Sequence, residues 1–379
     1  MLTSANESGG REYAKAILKN FEVFAPEVKG RATHHSKFII VAYATHVRVC
    51  IHTANYLSID WADKTQGVWM QDFPLKAAGL RNSSAFENDL VDYMKATGWP
   101  GGKLSDDSHC NADSLRAYDY TAARVALVAS VPGSHLCNRY GTRRVRWLLE
   151  REAFDEGAVR APLVWQFSSN GTVKGELLDE FRGAFCAGRT AAGAPLNRGD
   201  VQIVWPTEQE VRCSYEGWRG GTSIPGERKN IRELEIRELH HRWAGEGGDS
   251  CPEGRGRAMP HIKTFLRHRG STIFWMLLGS HNLSRPAWGY TTDKGRKLTI
   301  GSYELGVMFL PSLLPPGTQM RCTAAAPAGL VGNTLGLRVP YALPPLPYGP
   351  ADEPWDWETP RAQPDTHGRS FPGVNPGGH

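Results

Sequence analysis

The 379-residue sequence predicts an α/β protein built on a duplicated unit, and three observations carry that expectation. Apolar runs of strand character alternate with amphipathic stretches along much of the chain. Apolar residues make up 40% of the sequence, enough to fill the core of two ordinary domains or one large α/β unit. A His-x-Lys pattern also occurs twice, each copy followed at nearly the same interval by an Asn and a Trp.

The elements follow in chain order. Residues 38–43 form a continuous apolar run. Residues 47–52 alternate Val47, Val49 and Ile51 against Arg48, Cys50 and His52, so the two stretches read as strands joined by a short turn. Ser84-Ala85-Phe86-Glu87 has capping-box spacing and opens a helix whose apolar stripe is Phe86, Leu90, Tyr93 and Met94. Residues 124–130 and 162–167 read as buried strands, with a basic helix over 142–152 between them. Residues 201–205 give another short strand and 230–243 a charged helix, while 273–278 and 304–310 complete the strand set. The loops at 217–226, containing Trp218, and at 245–260 are Gly-rich. From Pro311 the chain is Pro-rich and aperiodic, and Trp355, Trp357 and Phe371 are expected to anchor it as a wrapping ordered coil.

Composition narrows the function classes. Seven cysteines at scattered positions argue against a disulfide framework, and no Cys-x-x-Cys pair offers a structural zinc site. No apolar stretch approaches the length of a membrane span and no signal-peptide pattern opens the chain, so a soluble, intracellular protein is expected. The net charge of +5 permits an anionic partner without requiring one.

The repeat carries the chemistry. His35-Ser36-Lys37 is followed by Thr53, Asn55 and Trp61; His261-Ile262-Lys263 is followed by Ser280, Asn282 and Trp288. In an extended chain residues i and i+2 share a face, so each His stands beside its Lys. Each Asn comes just after the next strand, within reach of the same pocket. Two copies face to face present two imidazoles, two ammonium groups and two amides. That set suits a phosphodiester. Lys and Asn bind the non-bridging oxygens, one imidazole attacks phosphorus, and the other protonates the leaving oxygen and later deprotonates water. This chemistry calls for no metal and no cofactor.

Paired His-x-Lys motifs resemble the phospholipase D superfamily. The Asp usual five residues after each Lys is replaced here by Ala42 and His268, as in the tyrosyl-DNA phosphodiesterase branch. The same branch is matched by Ile51-His52-Thr53-Ala54-Asn55, Lys64-Thr65-Gln66-Gly67, Met259-Pro260-His261-Ile262-Lys263 and Ser280-His281-Asn282-Leu283-Ser284. Further matches are Ser302-Tyr303-Glu304-Leu305-Gly306 and Pro364-Asp365-Thr366-His367-Gly368, and together they span roughly residues 11 to 372. The resemblance implies two similar α/β/α sandwich domains with the active site at their interface, divided near residue 122. Residues 1–122 then form the N-terminal half and 123–379 the C-terminal half with its wrapping tail.

The resemblance also implies roles. His35 is the nucleophile and His261 the acid/base; Lys37, Asn55, Lys263 and Asn282 bind phosphate; Gln66 and Glu304 orient the histidines; Ser169 and Ser284 contact DNA. The implied substrate is a single-stranded or duplex DNA 3′ end joined to a tyrosyl peptide left by topoisomerase I. The implied protein is a nuclear monomer in DNA repair, with no membrane partner. The alternatives are another nuclease or lipid phosphodiesterase of the superfamily, or an inactive DNA-end-binding protein.

Two departures from the branch stand out. Only 34 residues precede His35, so the opening strand of the first sheet is expected to be missing and a sheet edge exposed. Arg31 occupies a position that is aromatic in some relatives, where a guanidinium can stack on a base or bind phosphate. Other prominent residues have plainer readings. His34 is expected to be structural, and His240 and His241 to lie on a solvated helix. Trp61 and Trp288 are expected to anchor the core, and Arg143, Arg144 and Arg146 to form a solvated helix face. Trp218 is open between core and DNA stacking.

Overall fold

The computed structural model describes residues 24–28, 32–103, 108–244, 254–323 and 329–373. Arg31 and the first part of the 245–260 loop lie outside these residues.

The paired strands read near the first motif are Phe38–Ala42 and His46–His52, joined antiparallel, with Val68–Pro74 added on the far side of the second. Alternation in the sequence becomes two-facedness in this three-stranded sheet. Val47, Val49, Ile51, Trp69 and Phe73 are buried on one side. The helix Ala85–Ala96 packs there through Phe86, whose ring lies 5.7 Å from Trp69 and 5.4 Å from Phe73. Ser84 caps that helix by accepting from the Glu87 amide. Val68 and Met70, on the opposite face, are more than half exposed. Among the described residues, Phe38–Ala42 has a strand partner on one side only.

A ten-stranded sheet is drawn wholly from residues after 122. Its central path runs His240–His241, Val201–Val204, Leu163–Gln166, Thr264–Arg269 and Thr272–Gly279, continuing through Glu304–Phe309 to Ala126–Ser130. The strands Leu163–Gln166 and Val201–Val204 are parallel; Thr264–Arg269 and Thr272–Gly279 form an antiparallel hairpin. At the hairpin's end Gly279 faces Gly306. A Cβ on Gly279 would stand 2.7 Å from the Gly306 Cα, so only glycine allows these strands to approach so closely.

Several expectations require correction. Residues 230–243 do not form one charged helix: the segment is broken into Arg228–Ile231 and Leu234–Arg237, then joins the sheet edge as His240–His241. Both histidines are buried rather than solvated, with the His240 ring 5.3 Å from Tyr348 of the C-terminal segment. Arg144 is also buried, because it ion-pairs with Asp89 and donates to the Leu127 carbonyl. Arg143 turns its guanidinium onto the carbonyls of Gly295 and Arg296, and of the basic cluster Arg146 is the half-exposed member. Trp288 is fully buried, whereas Trp61 stays about half exposed beside His52, so only one of the two repeat tryptophans anchors the core.

The Pro-rich tail is ordered but is not coil throughout: Gln319–Cys322, Gly329–Val331 and Thr334–Leu337 join the ten-stranded sheet, and residues 338–373 wrap as coil. Trp355 is fully buried, stacked on Trp218 at 5.8 Å, with Phe371 at 5.2 Å and the Arg361 guanidinium 4.4 Å from its ring centre. Trp218 is therefore a core residue. Its indole N–H donates to the Gln363 carbonyl, and the Trp355 N–H donates to Gly221 and Ile224. The tail thus holds the turn Gly217–Ser223 in place. Trp355→Ala is expected to cost about 3–5 kcal/mol in urea unfolding and to expose the tail to proteolysis. A loss below about 1 kcal/mol would mean the tail is not a structural clasp.

Candidate active site

Each His-x-Lys triplet lies immediately before a strand, Phe38–Ala42 in the first copy and Thr264–Arg269 in the second. Each is tied by backbone bonds to a segment from the other part of the chain. The His35 N–H donates to the Tyr303 carbonyl at 2.9 Å, and the Tyr303 N–H donates to Thr33. The His261 and Ile262 N–H groups both donate to the Thr65 carbonyl, at 3.0 and 2.8 Å, and the Thr65 N–H donates to Met259. His35 and His261, 226 residues apart in sequence, line one cavity of about 420 Å³ with Asn55, Asn282, Ser168 and Ser169.

The bridging residues precede the two orienting residues, and this settles which serves which histidine. Glu304 reaches His35 Nδ1 at 2.9 Å, and Gln66 Nε2 stands 3.3 Å from His261 Nδ1. Hydroxyls of the repeat hold both. Ser280 donates to the Glu304 carboxylate at 2.5 Å and Thr53 donates to Gln66 Oε1 at 2.7 Å. These are the Thr and Ser found two residues before each Asn. Among the described residues neither histidine's Nε2 has a protein partner, so both face the cavity uncommitted.

The lysines lie beneath, both buried. Lys37 donates to the His35 carbonyl at 2.7 Å and Lys263 to the His261 carbonyl at 2.6 Å, the i, i+2 geometry expected of an extended chain. Asn282 accepts through Oδ1 from the Ser168 and Ser169 amides, which leaves its NH2 for a ligand. Asn55 lines the same cavity. Ser169 is a lining residue and donates to the Pro225 carbonyl. Ser284 is placed differently. Its hydroxyl caps the turn Arg285–Trp288 and it is not part of the cavity wall.

Electrostatics make this a site waiting for an anion. Burial draws Lys37 down to about 8, with Glu304 and Asp60 offsetting part of the effect. Burial and then Lys37 push Lys263 well below its ordinary value. Burial likewise lowers His261, followed by the nearby positive charges of Lys263, Lys37, His35 and Lys64. Burial alone would raise the Glu304 carboxyl, but the His35 imidazole and the Ser280 hydroxyl outweigh it and hold the group low. A carboxylate there accepts Nδ1–H from His35 and keeps its Nε2 lone pair available.

Several residues of the site had no signal in the repeat. Asp60 is buried, with Oδ2 at 3.5 Å from His261 Nδ1. Lys64 and Glu216 form a buried ion pair at 2.7 Å along one wall, and Arg219 and Thr222 stand exposed at the rim. Asp60 lies five residues after Asn55, but the matching position in the second copy is Ala287, so comparison of the copies hides it.

The fold is of the phospholipase D type, and the paired His-x-Lys motifs meet within it. The tyrosyl-DNA phosphodiesterase family profile matches residues 3–349. The chain belongs to that family. It is 38% identical to tyrosyl-DNA phosphodiesterase 1 of Arabidopsis thaliana, over 90% of this chain and 61% of that protein. It is 29% identical to the Drosophila melanogaster protein of the same name, over 86% and 57% of the respective lengths. The chain therefore spans roughly three-fifths of these relatives. The crystal structure of yeast tyrosyl-DNA phosphodiesterase superposes with a TM-score of 0.67 at 19% identity, covering 90% of this chain and 81% of that one.

The lowered lysine gives a pH test. Sulfate stays a dianion through the neutral and mildly alkaline range, so changes in its binding report on the protein. The Lys37 ammonium is charged below about 8 and discharges above it. Sulfate affinity measured by calorimetry should therefore fall as pH rises through that value, by at most about tenfold per unit for each proton involved. Lys37→Met should weaken binding at pH 7 and reduce this slope.

Proposed function

We propose that this chain hydrolyses the phosphodiester joining a DNA 3′ end to a tyrosyl peptide, leaving a 3′-phosphate. The observation that carries this reading is the placement of two imidazoles on one cavity, each held through Nδ1 and each presenting a free Nε2. In the first step His35 Nε2 attacks phosphorus, the bond to the tyrosyl oxygen breaks, and His261 gives that oxygen a proton. In the second, His261 takes a proton from water as its oxygen attacks the phosphohistidine, and the P–N bond breaks. Lys37, Lys263, Asn55 and Asn282 stabilise the charge on the equatorial oxygens.

A tyrosyl leaving group has a pKa of about 10, so expulsion gains from an acid without depending on it wholly. The ammonium groups take the charge-stabilising part that metal ions take in other phosphoryl transfers, and the proposed reaction uses neither metal nor cofactor. The two halves that supply the histidines are taken to divide near residue 122. The substrate named for the Arabidopsis and Drosophila relatives favours a protein-linked DNA end over a lipid ester. The remnant of a stalled topoisomerase I fits that description, and the reading is of a monomeric enzyme acting in the nucleus. Ser169, on the cavity wall, is the better placed of the two serines to meet the DNA strand.

The test is release of tyrosine from a 3′-phosphotyrosyl oligonucleotide in EDTA. His35→Ala should abolish release. His261→Asn should release tyrosine but slow the second step, so that a covalent protein–DNA adduct collects on a denaturing gel. Normal turnover by His261→Asn would overturn the acid/base assignment.

A further inference from the structure

The two catalytic histidines are held by partners of different charge, and the hydrogen-bond polarity around His261 shows a consequence. Glu304 is a carboxylate and accepts from His35 Nδ1. Gln66, its counterpart in the other copy, is neutral, and its orientation is fixed from two sides. Thr53 Oγ1 accepts from the Gly67 amide, so its hydroxyl proton goes to Gln66 Oε1. Gln66 Nε2 donates to the Asp60 backbone carbonyl at 3.1 Å. The group that Gln66 turns toward His261 Nδ1 is therefore the NH2, a donor. A donor there favours the neutral imidazole with its proton on Nε2.

Acid/base work at Nε2 needs the opposite arrangement. As acid, His261 is an imidazolium with protons on both nitrogens. After giving up the Nε2 proton it must keep the one on Nδ1, so that the Nε2 lone pair can receive a proton from water. In both working states Nδ1 is a donor and needs an acceptor. Asp60 supplies one. Its Oδ2 lies 3.5 Å from His261 Nδ1 and is aimed by the Asn55 backbone N–H, which donates to the same oxygen at 2.8 Å. The other charged groups near the ring are Lys263, Lys37, Lys64 and His35, all cationic or neutral. Lys64 is paired with Glu216, and Glu304 is engaged by His35 and Ser280. Among the described residues, Asp60 is the one carboxylate within ion-pair distance of His261.

We propose that Asp60 is the positioning residue of the acid/base step: it accepts the Nδ1 proton of His261 and selects the working tautomer, while Gln66 fixes the plane of the ring. This inference rests on the hydrolase reading above. Asp60 also lines the cavity wall, and the role assigned to it here is exerted through His261.

The test compares the wild-type chain with Asp60→Asn, which keeps an oxygen for the Asn55 amide. Two oligonucleotide 3′-phosphodiesters serve, one with a 4-nitrophenyl leaving group that departs without an acid and one with an alkyl group that requires it. Asp60→Asn should lower kcat on the alkyl ester by 30-fold or more with little change in KM. On the nitrophenyl ester it should keep the first-turnover burst but slow steady release, so that the covalent adduct accumulates. The pH optimum should move down, because loss of the anion makes the imidazolium harder to form. Imidazole 15N shifts of His261 should report Nδ1–H in the wild type and Nε2–H in the variant. The double variant Asp60→Asn, Gln66→Glu places a carboxylate directly at Nδ1, as Glu304 does for His35, and should recover alkyl-ester turnover.

Equal losses on both esters, burst included, with an unchanged tautomer would overturn the proposal and leave Asp60 a structural residue. An unaltered leaving-group dependence and pH profile would overturn it as well. A wild-type chain inactive on both esters would overturn the hydrolase reading itself, a result distinguishable from either.

Discussion

Two short backbone bridges hold the site together, and the rest of the arrangement depends on them. Tyr303 receives the His35 N–H and Thr65 receives the His261 N–H. Each bridge residue is followed at once by the side chain that engages the histidine it has just secured, Glu304 in one case and Gln66 in the other. Each histidine is therefore positioned by the opposite part of the chain. Backbone bonds place the imidazole, the next side chain sets its rotation, and a hydroxyl from the repeat holds that side chain in turn. Neither half of the site is complete without the other.

The chemistry this permits follows from what has been buried. Two lysines and two histidines share one small region, and among the described residues Glu304 and Asp60 are the carboxylates that reach the two rings. Burial lowers both lysine pKa values, and repulsion from Lys37 lowers Lys263 further. An arriving phosphodiester relieves that repulsion by bringing its own negative charge, so binding and correct protonation reinforce one another. Within this common frame the histidines differ. Direct contact with Glu304 leaves His35 an available lone pair on Nε2, as a nucleophile needs. His261 meets an amide and a more distant carboxylate, a setting suited to a group that must gain and lose a proton.

Much of this was legible in the sequence because it repeats. His35, Lys37 and Asn55 and their counterparts His261, Lys263 and Asn282 stand at matched spacing, and all six come to the same region. Asp60 was not legible, because it has no counterpart in the second copy and is one of 39 acidic residues. Trp61 and Trp288 match in sequence but not in burial, since only Trp288 has His281 and Phe185 packed on it. The Thr264–Arg269 strand was veiled by two arginines and a histidine. It is buried nonetheless, because Arg267 finds the carbonyls of Leu196 and Asn197. His240 and His241 looked solvated because the segment that covers them, around Pro347 and Tyr348, lies more than a hundred residues away in sequence. In each case the missing information was a long-range contact, which local pattern does not encode.

The central claim is that His35 and His261 address a single phosphorus atom from opposite sides. Crystals grown with orthovanadate and a short oligonucleotide test it most directly, because vanadate adopts the five-coordinate geometry of in-line transfer. The arrangement described here predicts vanadium bonded to His35 Nε2, with the opposite apical oxygen within hydrogen-bond reach of His261 Nε2 and the equatorial oxygens on Lys37 and Lys263. Vanadate bound by one histidine alone, with the other ring turned into a separate pocket, would contradict it.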